Sequence, residues 1–296
     1  VGDAVFVPAF TFVATAEAFS LLGATPYFVD VNADTFNMDA SSLKAAISDA
    51  KARGHTPRMV VAVDLFGQPA DYSAIGPIAS AENMVLVADA AQALGGSLHG
   101  KRVGTLADYT TTSFFPAKPL GCYGDGGAVL TDNADKAALI KSLTQHGKGT
   151  EKYDNVRIGL NSRLDTLQAA VLLEKLQIYQ DELAARDRVA RRYTDALGDD
   201  FDTPVLLEGA TSSWAQYTLK FIDRDHVQAQ LKSAGVPSAV YYPMPLNHQG
   251  GDRDCPSVPG GVGVSAPPPA QVLSLPMHAY LTPDVQDVII EDVKNA

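Results

Sequence analysis

The chain has 296 residues, with 23 Lys and Arg against 34 Asp and Glu, for a formal charge of −11. At 46% hydrophobic and 19% charged residues it has enough apolar surface to offset chain entropy, which excludes disorder as its main state. The acid excess argues against nucleic acid as a partner, because phosphate-backbone binding needs a basic face. It leaves room for an anionic small ligand held by local arginines or a helix N-terminus.

Only Cys122 and Cys255 are present, far apart, so a disulfide framework is not expected and a reducing, cytoplasmic compartment fits. No apolar run of about 18 residues and no leader pattern is visible, so neither a membrane span nor a signal peptide is expected. The chain opens on Val1-Gly2-Asp3 and runs straight into an apolar stretch, and it reads as the interior of a longer protein. At about 150 residues per domain, one large and one smaller domain are expected.

Residues 4–7, 25–31, 59–63, 84–87 and 128–131 are short runs rich in Val, Phe or Leu and predict strands. Between them, 41–52 and 72–82 show helical spacing, with Asp39, Ser41 or Asp71 as N-caps. Strands alternating with helices imply βαβ units, and so an α/β fold with a mostly parallel sheet covered by helices. Residues 164–197 contain no Gly or Pro and predict one long helix joining the large domain (1–185) to a small C-terminal α+β domain (186–296). In that second part, 216–222 predicts a strand, 225–234 a helix and 238–242 a strand. The Gly- and Pro-rich stretch 250–269 predicts a mobile loop outside the core.

In an open parallel sheet, ligands bind beyond the carboxyl ends of the strands, so the polar residues after each run matter most. Four stretches stand out. Asp89 and Gln92 follow a strand. Lys118 lies five residues beyond Ser113 in a loop closed by Gly and Pro. Gly124-Asp125-Gly126-Gly127 forms a tight turn, without the spacing of a phosphate-binding loop. Asn161-Ser162-Arg163-Leu164-Asp165 leads into the long helix. Taken alone each has a plain explanation: a turn acid, a solvated lysine, a packed or half-exposed Cys122 thiol, six histidines without metal-ligand spacing. Taken together, a lysine, a strand-end acid and a hydroxyl are the set that pyridoxal phosphate chemistry needs. The amine carries the cofactor, the acid keeps the pyridine nitrogen protonated, and the hydroxyl with a helix N-terminus holds the phosphate.

The stretches Pro8-Ala9-Phe10-Thr11-Phe12-Val13-Ala14-Thr15, Asp89-Ala90-Ala91-Gln92, Ser113-Phe114-Phe115-Pro116-Ala117-Lys118 and Asn161-Ser162-Arg163-Leu164-Asp165 resemble the DegT/DnrJ-type nucleotide-sugar aminotransferases. The resemblance spans essentially the whole chain and implies a fold-type I pyridoxal phosphate enzyme. Residues 118–127 and 242–247 look like the members that aminate C3 of UDP-2-acetamido-2-deoxy-3-oxo-glucuronic acid, with L-glutamate as donor, in lipopolysaccharide O-antigen synthesis. The resemblance implies that Lys118 and Asp89 are catalytic, with Lys118 linked to the cofactor. It also implies that Phe12 stacks on the ring, that Gln92 sits by the ring hydroxyl and that Ser113 binds the phosphate. Asn161 would reach the cofactor phosphate of the neighbouring subunit of a homodimer, so that the active site is shared. Arg163, Tyr241 and Tyr242 would face the sugar.

A uronic carboxylate in an acidic protein calls for a local guanidinium, which favours Arg163, although an ion pair with Asp165 would also explain it. Family members differ in two respects. They carry a preceding segment with a Gly-Thr turn that grips the phosphate, and the relatives nearest in motif have His where this chain has Tyr241. A keto sugar aminated at C4 or carried on dTDP, or a regulator without catalysis, are the alternative readings. Sugar 3-dehydration goes with relatives that have His at the Lys118 position.

Overall fold

The computed structural model describes residues 2–151, 153–265 and 268–296. The first part runs β1 (Asp3–Pro8), α1 (Ala14–Ser20), β2 (Thr25–Val29), α2 (Ala40–Ala52), β3 (Thr56–Val63), α3 (Tyr72–Ala81) and β4 (Val85–Asp89). Short strands β5 (Ser97–Leu98) and β6 (Lys101–Arg102) precede β7 (Tyr109–Ser113), β8 (Gly127–Leu130) and α4 (Ala134–Leu143). After α5 (Thr166–Leu197) come β9 (Ala210–Thr211), β10 (Tyr217–Lys220), α6 (Arg224–Ser233), α7 (Pro268–Gln271), β11 (Val272–Leu275) and α8 (Pro283–Asn295).

The main sheet has the order β2-β1-β3-β4-β7-β8. All pairings are parallel except β7 with β8, so the α/β expectation holds. The strand order reverses at β1, which opens a crevice at the carboxyl ends of β1, β3, β4 and β7. Ala4, Phe6, Val60 and Ala62 are fully buried within this sheet, as helix-covered parallel strands require. The predicted caps form at two of the three candidate positions. The Asp39 carboxylate accepts the Ser42 N–H at 2.7 Å and the Asp71 carboxylate accepts the Ala74 N–H at 3.1 Å. Ser41 lies inside α2 instead.

The predicted long helix is α5, and it changes partners along its length. Leu172 and Tyr179 pack with Leu120 and Cys122 beside the main sheet. Val189, Tyr193 and Leu197 pack in a second core with Trp214, Tyr217, Leu231 and Ile289.

Two expectations need correction. Residues 238–242 are not a strand: only Ala239 bridges, antiparallel to Ser274. Pro237 and Pro243 fence this stretch, and a proline cannot donate to a ladder. The stretch 250–269 does not lie outside the core. Its backbone pairs with the free edge of β2, Phe28 N–H to Pro256 O at 2.9 Å and Val258 N–H to Phe28 O at 2.8 Å. Val258 and Val262 are buried in the main core. The Asp30 carboxylate accepts the Val264 N–H at 2.8 Å and, at 2.7 and 2.6 Å, the N–H and hydroxyl of Ser265. Of that stretch, 266 and 267 lie outside the described residues. No helix among the described residues is long and apolar enough to cross a membrane.

Candidate functional site

The crevice at the strand ends widens into a cavity of about 890 Å³. Phe12, Asp89, Gln92, Ser113, Lys118, Tyr241 and Tyr242 all line it. Asp89 is the last residue of β4, held in register between Val63 of β3 and Thr111 of β7. Its two carboxylate oxygens are anchored separately. Oδ2 accepts the Thr15 hydroxyl at 2.8 Å and Oδ1 accepts the Ala91 N–H at 3.2 Å.

Ser113 ends β7, and the chain then turns sharply, with the Lys118 N–H donating to Phe115 O at 2.8 Å. The turn closes because Gly121 has no side chain. A Cβ there would lie 2.6 Å from Pro116 O and 2.8 Å from Phe115 O. Cys122 is the packed thiol that the sequence suggests, fully buried with its Sγ 3.0 Å from Phe114 O. Burial pushes the Lys118 ammonium below its usual range, while the nearby Asp89 charge partly offsets this. A lysine so placed gives up its proton more readily and presents a nucleophilic amine.

Gln92 is 5% exposed and bonds to three separate segments. Its side-chain oxygen accepts the Phe66 N–H at 2.6 Å and its amide nitrogen donates to the Tyr242 hydroxyl at 3.2 Å. Its backbone carbonyl accepts the Ser213 hydroxyl at 2.5 Å. The Phe12 and Tyr242 rings lie 6.1 Å apart, tilted, at the cavity wall. Burial, then the Asp89 charge, raise the Tyr242 phenol well above its usual range, so it stays neutral and can donate.

Asn161 and Arg163 do not join this group within one chain. Both are exposed, on a segment tied to the end of α4 by Leu160 N–H to Leu143 O at 2.8 Å and Ser162 N–H to Thr144 O at 2.9 Å. Among the described residues Arg163 makes no ion pair, and Asp165 makes no side-chain cap on α5. The simple structural account of Arg163 as a partner for Asp165 therefore finds no support.

The sequence reading gave no role to several further residues of the cavity wall. Thr15, Asp125, Gln216, Ser238 and Met277 also line the cavity. Behind Asp89, and fully buried, is Asp64, whose Oδ1 accepts the Ala70 N–H at 2.9 Å and the Tyr72 hydroxyl at 2.6 Å. Its Oδ2 has no partner among the described residues, and burial pushes the carboxyl up to about 7. The acid after the apolar run 59–63 was the available signal for it.

The family model for the DegT/DnrJ/EryC1/StrS aminotransferases matches residues 1–294. A UDP-2-acetamido-2-deoxy-3-oxo-D-glucuronate aminotransferase from Pseudomonas aeruginosa is 46% identical over 95% of this chain and 76% of its own length. The crystal structure of a DegT DnrJ EryC1 StrS aminotransferase from Brucella abortus superimposes with a TM-score of 0.98 at 50% identity, covering 99% of this chain and 79% of that one. A Bacillus subtilis protein, ntda, solved with bound cofactor PMP, matches with a TM-score of 0.88 at 29% identity, over 99% of this chain and 67% of that one. The donor set fits such a cofactor: one amine with a lowered proton affinity, one anchored carboxylate and one exposed aromatic face share a cavity large enough for a ring and a sugar. The chain belongs to the DegT/DnrJ/EryC1/StrS aminotransferase family, and its cofactor is pyridoxal phosphate.

Proposed function

We propose that this aminotransferase moves an amino group from L-glutamate to C3 of a UDP-linked 2-acetamido-2-deoxy-3-oxo-glucuronic acid, in the cytoplasm, for lipopolysaccharide O-antigen. The observation that carries the chemistry is the pairing of the Lys118 amine and the Asp89 carboxylate across one cavity. The sugar assignment rests on the similarity to the Pseudomonas aeruginosa enzyme.

When bound, pyridoxal phosphate supplies an electron sink that stabilises a carbanion next to nitrogen. Lys118 would hold the cofactor through its amine and would then be the group placed to move a proton. Of the cavity-lining residues, Asp89 would face the ring nitrogen and keep it protonated, Phe12 would cover a ring face, and the Ser113 hydroxyl would take a phosphate oxygen. Gln92, bonded to Tyr242, would sit by the ring hydroxyl, and Tyr242 would face the sugar with Tyr241.

We assign Asn161 and Arg163 to the site of a partner subunit in a homodimer. Support comes from their exposure and from the apolar side chains around them: Ile158 is 94% exposed, Leu160 71% and Leu167 81%. A division into domains at 185/186 is supported by the change of core along α5 between Tyr179 and Val189.

The test is an assay with L-glutamate and the UDP-linked 3-oxo-glucuronic acid, with the amino sugar detected by mass. The parent should form it and Lys118→Ala should not. Turnover of a 4-keto or dTDP-linked sugar in preference would overturn the substrate. Near-native turnover in Lys118→Ala would remove that lysine from the mechanism.

A further inference from the structure

Asp89 is not left to hold its own orientation. Thr15 lies in the first turn of α1 and is 4% exposed. A threonine hydroxyl in a helix can point to solvent or bond a nearby backbone carbonyl. Here it donates instead to Asp89 Oδ2 at 2.8 Å, across 74 residues of sequence. Since the Thr15 proton is committed to that carboxylate, the Thr11 hydroxyl, 3.3 Å away and 2% exposed, is the donor to Thr15 Oγ1. The two hydroxyls form a buried chain, Thr11 to Thr15 to Asp89, in which each bond polarises the next. Phe12, exposed at the cavity wall, lies between the two threonines in the same segment.

We propose that Thr15, backed by Thr11, is a positioning residue that keeps the Asp89 carboxylate a weak base and correctly turned, so that the proton of the cofactor pair stays on the ring nitrogen. The proposal rests on the reading that Asp89 faces that nitrogen. A donor on a carboxylate favours its charged form and lowers its proton affinity. With the donor gone, the carboxylate becomes more basic and draws the proton from the ring. Losing one hydrogen bond to a charged group shifts that partition about tenfold. A ring that carries less of the proton is a weaker electron sink.

The experiment loads parent, Thr15→Val, Thr15→Ser, Thr11→Val and Asp89→Asn proteins with pyridoxal phosphate labelled with 15N in the ring and reads the nitrogen chemical shift. Valine keeps the volume of threonine and removes only the hydroxyl. The parent and Thr15→Ser should show a protonated ring, and Asp89→Asn an unprotonated one. Thr15→Val should fall between, with kcat lowered about tenfold at an unchanged KM for the sugar. Thr11→Val should move the shift in the same direction by less, and it serves where Thr15→Val folds poorly. If Asp89→Asn moves the resonance while Thr15→Val and Thr11→Val leave it at the parent value, the threonines are only cavity wall and the proposal is overturned. If Asp89→Asn itself leaves the resonance unmoved, the placement of the ring beneath the proposal is wrong.

Discussion

Two carboxylates one strand apart sit in different surroundings. Asp89 stands at the cavity with a donor on each oxygen. Asp64 is fully buried, and desolvation raises it from 3.8 to about 7 despite its bonds from Tyr72 and Ala70. The folded chain therefore holds a proton on Asp64 that the unfolded chain releases once pH passes about 4. Stability from this group is full below that pH and is lost as pH rises to about 7. Asp64→Asn should flatten this part of the profile, because an amide has no proton to lose. Urea midpoints from about pH 4 to about pH 8 read it as the difference between parent and variant. Parallel profiles would show that Asp64 is not titrating. Asp89→Asn should bind cofactor and lose about 10²-fold or more in turnover, as expected for one missing electrostatic partner. Full activity in single-turnover assays would remove Asp89 from the ring nitrogen.

At the scale of elements, the segment following Pro256 behaves as an extra covering of the sheet edge. It is irregular, yet it takes the place of a strand beside β2 and is pinned at its far end by Asp30. Asp30→Ala removes the acceptor of three bonds to Val264 and Ser265 and should cost about 3 kcal/mol. The melting temperature should fall and limited proteolysis near Gly260 should speed up. Unchanged cleavage would mean that Val258 and Val262 alone hold the segment. This attachment was illegible in the sequence because glycine and proline counts carry no sign of an acceptor 235 residues away. The caps at Asp39 and Asp71 were legible because their partners lie three residues on. The stretch 238–242 has strand-like residues, and its flanking prolines outweigh them. In the site the same rule holds. Asp89, Ser113 and Lys118 show themselves through their own strand ends and loop. Thr15 does not, since its meaning lies wholly in a distant carboxylate.

For the whole molecule, the residues assigned to sugar and phosphate fall into two groups. One lines the cavity, and the other, Asn161 and Arg163, stands away from it on an exposed segment. If that segment serves a partner subunit, Arg163→Ala and Lys118→Ala chains should each be poor enzymes. Mixing them should restore activity at the one site built from an intact lysine and the other chain's intact arginine. No recovery after verified subunit exchange would count against the shared site. A normal KM for the uronic sugar in Arg163→Ala would separate that residue from carboxylate recognition.

The 32 residues of α5 have a further consequence. At 1.5 Å per residue the helix is a rod of about 48 Å. It starts three residues after Arg163 and ends among the side chains that pack against Tyr217 and Leu231. The Gln92 contacts with Tyr242 and Ser213 latch that far body against the cavity. Its near half is fastened beside the main sheet by Leu172 and Tyr179 and by the Lys175 ammonium, which donates to Gly121 O at 2.6 Å, so the rod ties the far body to the segment that carries Asn161 and Arg163. If Asn161 and Arg163 serve a partner subunit, filling one site should alter how the second binds, and calorimetric titration should give two unequal sugar affinities. Two identical and independent affinities would mean that the rod bends and the two sites do not feel each other.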